Sequence, residues 1–264
     1  MVADLTRSVV LIDKPAGPTS FVVARCVART LGFKRAGHTG TLDSNVTGVL
    51  VVAIEEATKG ISQLVGLDKG YEGQMKFSRP ISDDELRAAC ACFVGRIAQM
   101  PPEKCAVKRR LRLRTVHSFD ITGLCSDGAG GTLAEFSVEV EAGTYVRTLV
   151  ADLGEKLGCR AELVSLRRTH VGPFRLDECV ALDRLGPEHA IYIVEALERV
   201  GLKKVVLTPE QIRAAQRGMP VAVESAPSES GKMGTGTIFP KIPKSGACPR
   251  VAQWRLSPFS PSLR

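Results

Sequence analysis

Aromatic side chains are scarce in this sequence. Phenylalanine, tyrosine and tryptophan make up 5% of the 264 residues, with three tyrosines and one tryptophan. Proteins that bind single-stranded nucleic acid without regard to its sequence stack successive bases on several aromatic rings. The composition therefore disfavours that mode of binding.

Paired cysteines and long apolar runs are also missing. None of the eight cysteines forms a CxxC pair, which argues against a structural zinc site or a thiol redox centre. The longest apolar run, GVLVVAI, is too short to span a bilayer, and we find no secretory signal. We therefore expect reduced thiols and no membrane partner, in a cytoplasmic protein or, if the source is eukaryotic, a nucleolar one.

Acidic residues are fewer than basic ones. The chain has 36 lysines and arginines against 28 aspartates and glutamates, a formal net charge of +8. A basic balance of this size favours a polyanionic partner, and nucleic acid is the first candidate.

Strand and helix patterns are mixed along the chain. SVVLIDKP predicts a strand ended by Pro15, and TSFVVARCVARTLG predicts a helix capped by Thr19 or Ser20. AEFSVEVEA alternates, with its phenylalanine and valines predicted to face inward. TYVRTLVADLGEKLG predicts a helix capped by Thr144 and ended by Gly158. These patterns indicate an α+β domain built on a mixed or antiparallel sheet.

Asp43 lies in GHTGTLDSN, directly before the apolar run. One reading is an ordinary Asx turn that leads into a strand. The other is a functional carboxylate, because the buried strand would hold the turn rigidly and Gly37 and Gly40 would let a ligand approach the backbone. His38 is a second polar group in the same loop.

Arg147 and Tyr71 are further candidates. Arg147 falls near the start of a predicted helix, where a cation faces the positive end of the helix dipole. Such a placement suggests a tertiary reason, namely a carboxylate partner, for which Glu141 is one candidate. Tyr71 is either a core residue with a hydrogen-bonded tip or a platform for a base.

Basic residues cluster in the run KRR, which is Lys108, Arg109 and Arg110. The run continues into RRLRLR, where arginines are predicted to face one way and leucines the other. This segment reads as a solvated sheet edge, or as a phosphate track together with the first helix and with Arg167 and Arg168. The net charge favours the track.

Several of these motifs occur together, in one order. DKPAGPTS, GHTGTLDSNVTGVL, KGY, PPEKCAVKRRLRLR, AGTYVRTLVADLG and LRRTHVGPF make the chain similar to RNA pseudouridine synthases of the TruB type. The segment AVKRRLRLR resembles the Cbf5/dyskerin branch, the catalytic subunit of H/ACA ribonucleoproteins. The resemblance implies the pseudouridine synthase catalytic fold, a mixed or antiparallel sheet with flanking helices.

The resemblance also implies a role for each matching residue. Asp43 looks like the catalytic aspartate, Arg147 like the arginine that pairs with it, and Tyr71 like the tyrosine that stacks on the target base. His38 looks like the histidine near the flipped nucleotide.

The remaining matches look supportive rather than chemical. Lys14 in the first motif, and Leu166 and Arg167 in the last, look like residues that support the pocket. The KRR run from 108 to 110 looks like an RNA contact.

The implied reaction needs no cofactor. The enzyme would flip a uridine out of its stack, break the N-glycosidic bond, rotate the uracil and form a bond at C5. The carboxylate of Asp43 would act as a nucleophile at C1′ or as a base at C2′.

The branch implies RNA partners and protein partners. These are H/ACA guide RNA, rRNA, possible tRNA substrates, and Nop10-like and Gar1-like proteins. Two alternatives remain open: a stand-alone tRNA pseudouridine synthase, and a non-catalytic RNA-binding or assembly protein.

The chain departs from the family pattern in three places. Ser44 stands where the family has proline, and Gly70 stands where it has glutamate. The C-terminal PUA domain of the family looks incomplete or diverged here. We therefore expect a catalytic domain over 1–185, a connecting helix and PUA-like opening over 186–223, and a loosely ordered basic tail over 224–264, rich in Pro, Ser and Gly.

Overall fold

The computed structural model describes residues 5–101, 110–224, 235–240 and 254–256. The described strands are β1 Ser8–Lys14, β2 Ala36–His38, β3 Thr47–Ile54, β4 Lys69–Phe77, β5 Gly95–Gln99, β6 Arg112–Ser126, β7 Thr132–Val140, β8 Ala161–Val171, β9 Phe174–Arg175, β10 Ala190–Tyr192, β11 Val221–Glu224, β12 Thr235–Pro240 and β13 Trp254–Leu256. The described α-helices are α1 Ser20–Thr30, α2 Ser62–Val65, α3 Asp83–Ala91, α4 Val146–Lys156, α5 Ile193–Arg199 and α6 Pro209–Gln216.

A 10-stranded sheet organises the first of two compact units, which ends at Leu202. Its main path runs β10-β1-β3-β8-β4-β7-β6-β5, while β2 pairs with β3 and β9 pairs with β8. The β3–β8 pair is parallel and the other strand pairs of this sheet are antiparallel. The predicted fold class, α+β on a mixed and mostly antiparallel sheet, is therefore confirmed.

Strand β3 is covered on both faces. Val49, Val51 and Ala53 pack in one hydrophobic cluster, and alternate residues of the same strand, Leu50 and Val52, pack with α1 in another. A strand buried on both sides has no need of polar alternation, which explains the continuous apolar run in the sequence. This rigid strand begins four residues after Asp43.

Local sequence patterns predict some features correctly and others wrongly. Thr19 caps α1 by accepting a hydrogen bond from the Val22 amide at 3.3 Å, which decides between the two predicted caps. The predicted cap of α4 is wrong, because the Thr144 hydroxyl donates to the Glu141 carbonyl and α4 begins at Val146 instead.

The predicted alternation of RRLRLR is present, but the leucines are the more exposed residues rather than Arg112 and Arg114. Leu111 and Leu113 are 64% and 56% exposed, whereas Arg112 and Arg114 are partly buried. Alternation shows that the two residue types point to opposite faces, yet it does not show which face the rest of the fold covers.

A second unit begins at Lys203. Its helix α6 has the capping box of Thr208 and Gln211, and β11, β12 and β13 form an antiparallel three-stranded sheet. Much of the predicted tail, including 225–234 and 241–253, lies outside the described residues. The PUA-like character of this unit stays a prediction.

Within the described ranges, no helix combines the length and the apolar character needed to cross a membrane. The six cysteines described there are free thiols. In the same part of the chain, no group of three or more His, Cys, Asp or Glu side chains is arranged to hold a metal ion.

Gly48 provides a test of the parallel β3–β8 contact. It has a φ of +102°, and a Cβ built there would lie 2.2 Å from the Arg168 carbonyl oxygen. Backbone strain and overpacking together should make Gly48→Ala cost about 3 kcal/mol or more of unfolding free energy. Gly32 is the matched control, because its φ is +79° and its Cβ would meet nothing within 4 Å, so Gly32→Ala should cost only about 1 kcal/mol. Urea unfolding of both variants measures the difference, and equal losses would contradict the close packing.

Candidate active site

The Asp43 loop lies between two buried anchors. Leu42 and Val46 are each 4% exposed and belong to a hydrophobic cluster that includes Tyr71. The Val46 amide donates to the Asp43 carbonyl at 3.1 Å and closes a tight turn. The Asp43 side chain itself remains 51% exposed. The carboxylate is therefore held by its neighbours and is still accessible to a ligand.

Lys14 fixes the far side of this loop. It lies at the end of β1 and is fully buried, and its ammonium donates to the carbonyls of Ser44 at 3.1 Å and Val46 at 2.8 Å, as well as to Pro15 at 2.9 Å. Burial, together with the charge of Arg168, lowers the pKa of Lys14. Lys14 therefore shapes the loop from a buried position, and its role toward RNA stays a prediction.

The start of α1 holds the residue that precedes Asp43. The Ser20 hydroxyl donates to the Leu42 carbonyl at 3.0 Å and accepts from the Leu42 amide at 2.8 Å. The Gly17 amide donates to the Ser44 carbonyl at 2.8 Å. Since the contacts of Ser44 are made by its backbone, the family's proline at this position is not needed for them.

Arg168 is a structural residue that sequence reasoning placed wrongly. It is 1% exposed, and its guanidinium donates to the carbonyls of Val49 at 2.7 Å and Gly40 at 3.2 Å. A side chain buried in this way cannot line a phosphate track on the surface. Arg168 instead reaches across the parallel β3–β8 pair and holds the loop that leads to Asp43.

Arg147 pairs with Asp43. It is the second residue of α4, and its Nη2 contacts Asp43 Oδ2 directly. Glu141, the other candidate partner, accepts from the Thr115 amide at 2.9 Å and lies 3.5 Å from Arg114 instead. A guanidinium beside a carboxylate favours the ionised carboxylate and orients it.

Tyr71 belongs to the same region. It lies on β4, opposite Arg168 of β8 and Val138 of β7, and it is 8% exposed. The β4–β8 register shifts between Gly70 and Tyr71, and such irregularities re-aim side chains. Tyr71 belongs to the same hydrophobic cluster as Leu42 and Val46, the residues that anchor the Asp43 loop.

Lys69 was missed by sequence reasoning, although KGY contains it. It is 6% exposed, and its ammonium donates to the carbonyls of Leu67 at 2.5 Å and Val65 at 3.4 Å. Burial, reinforced by the charge of Arg168, lowers its pKa to about 8. The sequence did contain a signal for Lys69. Residues two apart on a strand share a face, and Tyr71 follows Lys69 at that distance.

His38 lies at the end of β2, and its Nδ1 is buried without a hydrogen-bond partner among the described residues. Burial and the neighbouring charge of Arg168 lower the pKa of His38, so the imidazole is neutral at pH 7. A neutral ring can donate to or accept from a ligand, which fits its predicted place beside a bound nucleotide.

Two further predicted residues, Leu166 and Arg167, make their contacts on β8 and its neighbours. Leu166 packs against the main hydrophobic cluster, and Arg167 contacts Asp13 at 2.7 Å and Thr47 at 3.3 Å. Both stabilise β8 and its neighbours. Arg110 is exposed, whereas Lys108 and Arg109 lie outside the described residues, so an RNA contact by this run stays a prediction.

The departure at Gly70 has a local explanation. A Cβ at this position would lie 2.1 Å from His170 Cε1, so a larger residue would require the His170 ring to move. His170 Nε2 in turn lies 3.4 Å from a Glu139 carboxylate oxygen. The space next to Tyr71 that a glutamate would need is therefore occupied by an imidazole.

The candidate site therefore combines an exposed aspartate paired with an arginine, and a buried tyrosine in the hydrophobic cluster that anchors the aspartate's loop. Two family profiles match the chain: "TruB family pseudouridylate synthase (N terminal domain)" over residues 28–82, and "tRNA pseudouridylate synthase B C-terminal domain" over 147–212. The first range contains Asp43 and Tyr71, and the second begins at Arg147. This chain belongs to the TruB family.

Individual relatives agree with the profiles. A protein of Pyrobaculum aerophilum named "Probable tRNA pseudouridine synthase B" is 42% identical over 205 residues, which cover 78% of this chain and 60% of that protein. The chain thus spans less than two thirds of that relative's length. The "Crystal Structure of a Cbf5-Nop10-Gar1 Complex" contains a chain with a TM-score of 0.73 and 32% identity, covering 90% of this chain and 72% of the other. The "Structure of H/ACA RNP bound to a substrate RNA containing 2'-deoxyuridine" gives a TM-score of 0.70 at 29% identity, covering 90% and 72%.

The buried ammonium of Lys69 makes stability depend on pH. Its pKa in the folded state is about 8, below the ordinary 10.5, so the unfolded chain binds the proton more tightly. Burying the protonated amine of Lys69 therefore lowers the stability of the folded state. This cost is absent above pH 10.5 and is fully present once the pH has fallen below 8. The unfolding free energy of the wild type should therefore rise by up to about 3 kcal/mol over this window, relative to Lys69→Met. Urea unfolding of both proteins from pH 7 to 10 measures it; parallel curves would show that Lys69 is not desolvated.

Proposed function

We propose that this chain isomerises uridine to pseudouridine in RNA, with Asp43 as the catalytic carboxylate. The observation that carries the proposal is the Asp43–Arg147 ion pair, which is open to solvent within a loop held by buried residues. Membership of the TruB family and the position of Tyr71 in the adjoining cluster support it.

The reaction matches the chemistry of these groups. A uridine flipped from its stack could reach the half-exposed carboxylate of Asp43. The bond from N1 to C1′ breaks, the uracil turns, a bond from C5 to C1′ forms, and the proton leaves C5 while N1 gains one. Asp43 acts as a nucleophile at C1′ or as a base at C2′, and Arg147 orients it. The ring of Tyr71 supports the base.

We infer further that the chain works with a guide RNA in an H/ACA ribonucleoprotein, on rRNA and tRNA, together with Nop10-like and Gar1-like proteins. The fold likeness over 90% of the chain to proteins solved in Cbf5-Nop10-Gar1 and H/ACA complexes supports this inference. A cytoplasmic location is part of the same proposal.

A stand-alone tRNA enzyme is the second candidate. The name of the Pyrobaculum aerophilum relative and the tRNA pseudouridylate synthase B profile favour it. The third candidate, a non-catalytic RNA-binding or assembly protein, is disfavoured because Asp43, Arg147 and Tyr71 are present together.

Asp43→Asn tests the chemical role. The amide is nearly isosteric but is neither a carboxylate nucleophile nor a base, so pseudouridine formation should fall by at least about 10³-fold. Binding of the RNA should change little. Asp84→Asn, an exposed aspartate on α3, is the matched control and should keep full activity. Conversion of an unmodified tRNA transcript by purified protein is the readout; equal loss of RNA binding in Asp43→Asn would argue against a chemical role.

The same assay separates the three candidates. Conversion by the protein alone identifies a stand-alone enzyme. Conversion that requires added H/ACA guide RNA with Nop10-like and Gar1-like proteins identifies the guided enzyme. RNA binding without conversion under either condition identifies the non-catalytic protein.

A further inference from the structure

The outer face of α1 carries an aromatic ring followed by two arginines. Phe21, Arg25 and Arg29 are spaced four residues apart, so they form one stripe, about 12 Å long, along an 11-residue helix. Phe21 is 62% exposed, and the Arg25 guanidinium lies 5.8 Å from its ring centroid. We call these three residues the α1 stripe.

The positive charges of the α1 stripe are not neutralised by carboxylates in the described part of the chain. Helix α1 contains no acidic residue, and neither Arg25 nor Arg29 forms an ion pair with a carboxylate in the described part of the chain. Arg35, which follows the same helix, differs because it lies 3.8 Å from Glu55 and 3.7 Å from Glu56. Two exposed arginines left without acidic partners favour an anionic ligand.

The stripe begins next to the Asp43 loop. Ser20, the residue before Phe21, exchanges two hydrogen bonds with Leu42, and Leu42 directly precedes Asp43. These bonds fix the first turn of α1 against the loop. A ligand that places one group at Asp43 therefore has the stripe as a neighbouring surface that leads away from the site.

We propose that the α1 stripe binds the single-stranded segment of substrate RNA that adjoins the uridine at Asp43. The inference rests on the proposed function. Phe21 stacks with one base of this segment, on a ring already flanked by the Arg25 guanidinium. Arg25 and Arg29 contact successive parts of its phosphate backbone.

A nucleic acid explains these residues better than a protein partner does. Apart from Phe21, Val22 at 44% is the other exposed large apolar residue of α1, which leaves little apolar area to bury. Two unpaired cations beside one aromatic ring are the combination that single-stranded RNA uses, with phosphates on the arginines and a base on the ring.

The test uses the full chain and a fluorescein-labelled, unmodified tRNA transcript, with dissociation constants measured at several salt concentrations. Arg25→Gln with Arg29→Gln should make the plot of log association constant against log salt concentration less steep by about 1.4, since each phosphate contact to a single strand contributes about 0.7.

Phe21→Ala should weaken tRNA binding about five-fold or more at every salt concentration, with the steepness of this plot unchanged. Both changes lie on an exposed face, and thermal melting checks that the fold is intact.

The matched control is Lys156→Gln with Arg160→Gln. It removes the same charge from exposed positions at the opposite end of α4 from Arg147, so it should leave the salt slope unchanged. Absence of tRNA binding by the wild type, unchanged binding by the stripe variants, or an equal effect of the control would overturn the proposal. Loss of binding to an added Nop10-like protein, with tRNA binding intact, would overturn it in favour of a protein interface.

Failure of the proposed function gives a different result. Weaker tRNA binding by the stripe variants, in a protein that converts no uridine under any condition, would support the stripe and reject the enzyme. Normal uridine conversion, with tRNA binding unchanged in the stripe variants, would support the enzyme and reject the stripe.

Discussion

Two buried cations, Lys14 and Arg168, hold the candidate site together by donating hydrogen bonds to main-chain carbonyls. Lys14 binds the carbonyls of Ser44 and Val46 behind Asp43, and Arg168 binds the Gly40 carbonyl before it. An ion removed from water is stable only when its hydrogen bonds are made elsewhere. Because the acceptors are carbonyls rather than carboxylates, neither cation competes for Asp43, which remains free to pair with Arg147.

The same arrangement makes the interior next to the site positive. The charge of Arg168 contributes to the lowered pKa values of Lys14, Lys69 and His38, although burial is the larger cause for each. Cations that crowd one another at low dielectric raise the potential at the nearby surface. This positive potential suits the polyanionic substrate that we propose, and it adds to the unpaired arginines of α1.

The parallel β3–β8 pair is the topological reason for this clustering. It sets Gly48 beside Arg168, residues separated by 120 positions in the chain, and leaves so little room that glycine is required at residue 48. Antiparallel β4 then brings Tyr71 against β8, and the turn after β7 delivers Arg147 on α4. Three distant chain segments thus meet at the Asp43 loop.

By itself, the sequence determined the local features: the strand ended by Pro15, the inward face of β7, the α+β class, and an aspartate set between a glycine-rich loop and a buried strand. These depend on residues close in the chain, whose periodicity is visible directly. Tertiary structure alone decided that Arg168 is buried and that Leu113 of β6 faces outward. It also brings Arg147 to Asp43 rather than to Glu141, a choice that the residue pattern left open and the family resemblance implied. Each of these depends on strand pairing between distant segments, which local patterns do not encode.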